Sequence, residues 1–115
     1  MSDFGKLLTA VITPFDNNGV LNTDTLWRLC KKLVHEKSDG LVLSGTTGES
    51  PNLTKEDRKI IYSTAKDSVG DKAKIIAGTG TYSTKESIEY TKMANDIGVD
   101  GIMIVTPYYL SLIHI

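Results

Sequence analysis

Four short apolar segments recur along the chain at intervals of about 30 residues, and they constrain its fold more than any other feature. Each is rich in aliphatic residues and closes on glycine or proline, a pattern typical of strands buried on both faces. The sequence therefore predicts four strands, separated by three polar segments. The strand segments are Leu7–Pro14, Gly40–Gly45, Ala73–Gly80 and Asp100–Pro107.

Each polar segment carries helical spacing of apolar residues together with start or stop signals for a helix. Three helices are therefore predicted. The first helix has Thr23 at its start, followed by Leu26, Leu29, Leu33 and Val34. The second starts with a capping-box pair, Thr54 and Asp57, and ends near Gly70. The third starts with another such pair, Ser83 and Glu86, and ends before Gly98.

Strands that alternate with helices at this interval are typical of consecutive parallel crossover units, so the fold class is α/β. Two architectures fit the pattern: a doubly wound open sheet, and the first half of an eight-stranded (β/α) barrel. A complete barrel of this kind takes about 250 residues. Four strands in 115 residues would therefore form half of one.

Charge and cysteine content exclude several classes of function. The 13 basic and 14 acidic residues are scattered and give a net charge of -1, so neither a nucleic acid nor an anionic membrane is an expected partner. No run approaches the roughly 18–20 apolar residues of a membrane span, and no basic leader precedes an apolar segment, so we expect a cytoplasmic protein. Cys30 is the single cysteine and lies on the apolar stripe of the first helix, where we expect a core residue.

Both architectures place their chemistry beyond the carboxyl ends of the strands. Those ends carry mainly hydroxyl groups and glycines, with no cluster of metal-ligating side chains. The segment "GTGTYS" has Ser83 where a dinucleotide-binding loop needs its third glycine, and "SGTTGES" lacks the lysine of a phosphate-binding loop. The sequence therefore predicts no metal and no other cofactor.

The turn that follows the second strand is the best candidate site. Gly45 and Gly48 allow a sharp turn that presents backbone amides, and a threonine hydroxyl beside them can complete a binding site for a small carboxylate. One of the two adjacent threonines, Thr46 and Thr47, would serve for that, and the other would be free to pass a proton or to orient another group. Equally, both threonines could simply tighten the turn, and spacing alone does not choose between these readings.

The motifs "AVITPF", "GTTGES", "IAGTG" and "TPYY", each at a predicted strand end, resemble the dihydrodipicolinate synthase family of the pyruvate-dependent class I aldolase superfamily. The resemblance spans residues 7–109. It implies a (β/α)8 barrel in which a lysine forms a Schiff base with pyruvate, which then adds to L-aspartate 4-semialdehyde on the route to diaminopimelate and lysine. It also implies a homo-oligomer, a tetramer of tight dimers.

By position, the resemblance implies roles for several residues. Thr47 matches the threonine that binds the pyruvate carboxylate, and Thr46 matches a proton-relay threonine. Tyr109 matches the relay tyrosine that reaches into a neighbouring subunit, while Tyr108 is either an aromatic packing residue or a regulatory one. Residues that match the lining of an allosteric lysine pocket are Ser50, Glu86 and Tyr108, whereas Tyr82 and Lys55 replace the amide and the histidine usual there.

Two features depart from the family pattern. The Schiff-base lysine and the second relay tyrosine would lie beyond residue 115, and none of the 11 lysines present stands at a suitable strand end. We therefore expect the chain alone to be inactive. After a barrel segment of residues 1–109, the tail Leu110–Ile115 reads "LSLIHI" in place of a polar loop with Asn and Pro, which indicates either foreign sequence or a divergent apolar terminus.

Two alternative functions remain open from the sequence. One is another pyruvate-dependent aldolase of the same superfamily, either a sugar-acid aldolase or a sialic acid lyase. The other is a non-catalytic half-barrel that binds a partner, or itself, through its open sheet edges.

Overall fold

A computed structural model describes residues 5–105 of the chain. Strands and helices alternate throughout this range, as the sequence predicts, with one additional 3₁₀ turn at Ser50–Asn52. The strands are β1 (Leu8–Ala10), β2 (Gly40–Leu43), β3 (Lys74–Gly78) and β4 (Gly101–Met103), and the helices are α1 (Thr23–His35), α2 (Lys55–Val69) and α3 (Thr84–Ile97).

The four strands form one parallel sheet in the sequential order β1-β2-β3-β4. Neighbouring helices pack against each other, α1 on α2 and α2 on α3. A doubly wound sheet reverses its strand order at a switch point, whereas a (β/α) barrel adds each strand beside the previous one. The observed order therefore decides between the two architectures, and the sheet is the first half of a (β/α)8 barrel.

Side-chain caps fix where the helices begin. Asn22 accepts a hydrogen bond from the amide of Thr25 at 3.0 Å and caps α1, one residue before the predicted start at Thr23. The capping box at the start of α2 is confirmed: the amide of Asp57 donates to the Thr54 hydroxyl at 3.0 Å, and the amide of Thr54 donates to the Asp57 carboxylate at 3.1 Å.

The capping box predicted for α3 is only half correct. Ser83 does cap the helix, because its hydroxyl accepts from the amide of Glu86 at 3.4 Å. The amide of Ser83 donates instead to the hydroxyl of Thr81 at 3.0 Å, so it does not donate to the Glu86 carboxylate as a capping box requires. A local turn on Thr81 thus replaces half of the predicted box.

The core lies between the sheet and the three helices. Side chains of alternate residues in β2 and β3 enter it and are almost fully buried, as the period of two in a strand requires. Cys30 lies in the same cluster and is fully buried, which confirms its prediction as a core residue. The strand residues concerned are Leu41, Leu43, Ile75 and Ala77.

Burial on both faces, predicted for all four strands, is wrong for β1 and β4. These strands form the two edges of the sheet, and their large side chains stay open to solvent; Leu8 is 43% exposed and Ile102 is 36% exposed. Beyond β4, Ile104 is 65% exposed. The cause is topological, because residues 5–105 form only half of a barrel and provide no further strand or opposite wall to cover these side chains.

Within residues 5–105, no helix combines the length and the apolar character needed to cross a membrane.

Burial raises the pKa of the Cys30 thiol to about 11. In the unfolded chain the thiol ionises near pH 8.5, so the unfolded state loses its thiol proton first as the pH rises. The free energy of unfolding is therefore unaffected by this group below about pH 8.5 and should fall steadily between about pH 8.5 and about pH 11. We expect the alkaline loss of unfolding free energy to be smaller in Cys30→Ala, by up to about 3 kcal/mol. Urea unfolding of both proteins at pH 8 and pH 10.5 measures this difference. An equal loss of unfolding free energy between the two pH values in wild type and Cys30→Ala would contradict the raised pKa of the thiol.

Candidate active site at the carboxyl edge of the sheet

The parallel strands bring their carboxyl ends to one edge of the sheet, and the candidate residues gather there. Thr13 follows β1, and the turn at residues 44–50 follows β2. Thr79 to Tyr82 follow β3 and lead into α3. The predicted strand-end residues that lie within residues 5–105 are therefore neighbours in space.

Two residues with left-handed backbone bracket the turn after β2. Ser44 has φ 58° and Glu49 has φ 59°, a conformation that residues other than glycine adopt at a cost of about 1–3 kcal/mol. The turn is closed by backbone bonds from the amide of Glu49 to the carbonyl of Thr46 at 3.0 Å and from the amide of Ser50 to the carbonyl of Gly45 at 3.2 Å. This strained but bonded turn has a defined shape.

Gly48 allows the turn to pack against the end of β1. The Thr13 hydroxyl, itself buried, donates to the carbonyl of Gly48 at 2.6 Å. A methyl group at Gly48 would lie 3.0 Å from the carbonyl oxygen of Val11 and 3.1 Å from the Thr13 hydroxyl. Glycine is needed here because the backbone of the turn lies so close to β1.

The structure places Thr46 and Thr47 together at the exposed outer side of the turn. Within residues 5–105, neither their side chains nor the amides of Thr46, Thr47 and Gly48 donate a hydrogen bond to another group. The hydroxyl of Ser44, only 2% exposed, also has no hydrogen-bond partner in the described part of the chain. The turn thus presents unpaired donors at the mouth of the sheet, which is the arrangement that anion-binding turns use.

The ends of β2 and β3 approach each other very closely at Gly78. A methyl group on Gly78 would lie 2.5 Å from the carbonyl oxygen of Ser44 and 3.1 Å from the amide nitrogen of Gly45. Side-chain carbon atoms do not approach backbone atoms so closely, so only glycine allows the turn after β2 to lie against β3.

Arg58, on α2, reaches both strand ends and was missed by the sequence analysis. Its side chain is 1% exposed, and its guanidinium donates to the carbonyl of Gly78 at 2.9 Å and to both the carbonyl and the hydroxyl of Ser50 at 2.8 Å. A signal was available: Arg58 stands three, four and seven residues before buried Ile61, Tyr62 and Ala65, which places it on the buried stripe of the helix.

Arg58 links two of the residues matched to an allosteric pocket: it contacts Ser50 directly and reaches the surroundings of Glu86 through Tyr90. Ser50 is buried and accepts a hydrogen bond from Arg58. The Arg58 guanidinium in turn stacks 4.2 Å from the ring centre of Tyr90. Burial raises the pKa of Tyr90, the exposed Glu86 carboxylate raises it further, and Arg58 opposes both. Ser50 and Glu86 thus belong to one electrostatic neighbourhood.

The remaining predicted site residues, Tyr108 and Tyr109, lie outside the described residues, as does the tail Leu110–Ile115. In the range 5–105, no group of three or more His, Cys, Asp or Glu side chains could hold a metal ion.

Comparison with known proteins identifies the family. Residues 3–113 match the model of the dihydrodipicolinate synthetase family. The chain belongs to this family. The resemblance drawn from the strand-end motifs is thereby confirmed.

Individual relatives agree with this assignment. The 4-hydroxy-tetrahydrodipicolinate synthase of Desulforudis audaxviator is 51% identical over 107 residues, 93% of this chain and 36% of the relative. The crystal structure of a dihydrodipicolinate synthase from Bacillus anthracis matches with a TM-score of 0.93 and 41% identity, over 97% of this chain and 38% of that one. The enzyme from Cyanidioschyzon merolae, solved with lysine bound, matches with a TM-score of 0.91 and 38% identity, over 95% of this chain and 37% of that one.

This chain therefore spans a little over one third of the length of the family members that it matches.

Glycine at position 78 should be far less replaceable than glycine at position 45. Gly78→Ala forces a methyl group against backbone and should cost about 1–3 kcal/mol of unfolding free energy. In Gly45→Ala the new methyl group lies 3.2 Å from the flexible end of Met103 and at an ordinary 3.7 Å from Val42, so the change should cost less than about 1 kcal/mol. Chemical denaturation of both variants checks this, and equal losses would show that the close approach at Gly78 is not a constraint.

Proposed function

We propose that this chain supplies the carboxylate-binding and proton-relaying part of a 4-hydroxy-tetrahydrodipicolinate synthase. The observation that carries the proposal is the exposed Thr46–Thr47 pair on a glycine turn with unpaired amides, at the catalytic edge of a (β/α) half-barrel. Membership of the dihydrodipicolinate synthetase family supports it.

In this proposal Thr47 holds the first substrate, pyruvate. Its hydroxyl and the amides of the turn donate hydrogen bonds to the pyruvate carboxylate, which orients the neighbouring keto carbon. A lysine amine on a part of the barrel beyond residue 115 attacks that carbon and forms a Schiff base with loss of water. Loss of a methyl proton then gives an enamine, whose carbon adds to the aldehyde of L-aspartate 4-semialdehyde.

Thr46 would pass protons during these steps. A hydroxyl can donate and accept at once, so Thr46 can connect two phenols that exchange protons with the reacting centre. One of these is Tyr109 of a neighbouring subunit, which makes the active enzyme a homo-oligomer. A phenol with a pKa of about 10 can take part without remaining charged at neutral pH.

We further propose that the neighbourhood of Ser50, Glu86 and Tyr108 is the effector pocket of the enzyme. The relative from Cyanidioschyzon merolae binds lysine. In this chain Ser50 lies at the end of the threonine turn and Glu86 lies on α3, and the contacts of Arg58 with Ser50 and Tyr90 connect the two. A ligand bound in this pocket would therefore act on the threonine turn through Ser50.

Reductive trapping tests the proposed chemistry. The protein expressed from its complete coding sequence is incubated with pyruvate and borohydride, and mass spectrometry should then find one reduced pyruvate adduct on a lysine. In a separate assay without borohydride, which would itself reduce the aldehyde, the same protein should consume L-aspartate 4-semialdehyde when pyruvate is present. Without an adduct the Schiff-base proposal fails; an adduct formed by a protein that leaves the semialdehyde untouched would instead favour a sugar-acid aldolase.

The two threonines should differ in their kinetic effects. Thr47→Val removes a hydrogen bond to the carboxylate that is present from binding onward, so KM for pyruvate should rise about tenfold or more. Thr46→Val removes a proton-transfer group, so kcat should fall about 10²-fold or more with a smaller change in KM. Steady-state kinetics of both variants measures this, with Thr84→Val, an exposed residue at the start of α3, as the control. Identical changes in both threonine variants would contradict the division of roles.

A further inference from the structure

We propose that Arg58 is a positioning residue that holds the Thr46–Thr47 turn in its binding geometry. This inference rests on the proposed function for its kinetic consequence, although its structural part stands on the observed contacts alone. Arg58 lies on α2 and has no place among the strand-end motifs of the family resemblance.

The contacts of Arg58 join three separate segments. One guanidinium nitrogen donates to the carbonyl of Gly78 at the end of β3, and the other donates to the carbonyl and hydroxyl of Ser50 at the end of the turn. The face of the guanidinium lies over the ring of Tyr90 on α3. A planar fork can reach both strand ends at once, which the point charge of a lysine cannot do.

Ser50 transmits this anchoring to the threonines. Its amide donates to the carbonyl of Gly45, and the preceding amide, that of Glu49, donates to the carbonyl of Thr46. These two bonds close the turn on either side of the threonine pair. Fixing Ser50 therefore fixes the segment that carries Thr46 and Thr47, and the bond to Gly78 fixes that segment relative to β3.

The electrostatic cost of burying Arg58 indicates that it does more than fill the core. Its side chain is 1% exposed, no carboxylate within residues 5–105 forms a salt bridge with it, and its Nε has no hydrogen-bond partner there. Burying a cation without an acidic partner is costly, and apolar residues of similar volume often replace buried charges without loss of stability. What an apolar side chain could not supply is the set of three bonds to Gly78 and Ser50.

Tyr62 provides a matched comparison for a purely structural role. It is fully buried one turn along α2, and its hydroxyl donates to the same carbonyl of Gly78 at 3.2 Å. None of its described hydrogen bonds reaches Ser50. Tyr62→Phe therefore removes a buried hydrogen bond to β3 but leaves the anchoring of the turn intact.

The experiment compares Arg58→Lys with Tyr62→Phe in the protein expressed from its complete coding sequence. Two readouts are used: hydrogen exchange at the amides of Glu49 and Ser50, and the steady-state kinetics of pyruvate. In Arg58→Lys we expect exchange at both amides to accelerate at least tenfold and kcat/KM for pyruvate to fall about 10²-fold, because the threonines lose their alignment. In Tyr62→Phe both quantities should stay within about threefold of the wild type.

Exchange at Glu49 and Ser50 that is unchanged in Arg58→Lys, or equally fast in both variants, overturns the positioning role. If the wild-type protein does not process pyruvate, the proposed function fails, while the exchange comparison still decides whether Arg58 positions the turn. If Arg58→Lys does not fold, Ser50→Ala takes its place, because it removes one of the three acceptors. A three- to tenfold acceleration at Glu49 then supports the proposal, and no acceleration overturns it.

Discussion

The guanidinium of Arg58 joins the end of the turn after β2 to the carboxyl end of β3, and the geometry of the candidate site depends on this junction. Three hydrogen bonds of 2.8–2.9 Å connect one buried cation on α2 to Gly78 and Ser50. Because backbone bonds from Glu49 and Ser50 close the turn in between, the exposed threonines take their position from a residue that is itself buried. A functional turn supported by a buried hydrogen-bonded group is better defined than a free surface loop.

Glycine makes the same junction possible by leaving room for it. Gly78 allows the backbone of Ser44 to lie against β3, and Gly48 allows the turn to lie against β1. Ser44 and Glu49 have left-handed backbone conformations, which are strained, and the surrounding contacts must stabilise the turn against this strain. The result is a turn pressed between two strand ends, with Thr46 and Thr47 exposed at its outer side.

Much of this architecture can be predicted from the sequence. The alternation of apolar strands with capped helices gives the α/β class and the element order, since both depend on local periodicity and local hydrogen bonds. Strand order is not a local property, so periodicity alone fits both a barrel and a doubly wound sheet; the family resemblance implied the barrel, and the order β1-β2-β3-β4 confirms it. The exposure of Leu8 and Ile102 could not be predicted either, because it depends on neighbouring strands, which the described part of the chain does not place beside these edges.

At the candidate site, the sequence predicts the turn but not its support. Two glycines and two threonines after an apolar strand fit either a binding turn or a merely structural one, and the family resemblance favours binding, whereas a lone arginine in "TKEDRKI" is usually a solvated helix residue. Its helical register with Ile61, Tyr62 and Ala65 was the available signal. The missing half of the α3 capping box was also not predictable from the motif. The hydroxyl of Thr81 accepts the hydrogen bond of the Ser83 amide in a local turn, and the capping-box pattern contains no sign of that turn.

The central claim is that the Thr46–Thr47 turn binds the carboxylate of pyruvate. Its most direct test is an amide NMR titration of the protein expressed from its complete coding sequence, with pyruvate and with methyl pyruvate, whose ester has no carboxylate. The account predicts saturable shifts that are largest at the amides of Thr46, Thr47 and Gly48 with pyruvate, and much weaker ones with the ester. Shifts that are centred elsewhere, or that are equal for the two ligands, would contradict it.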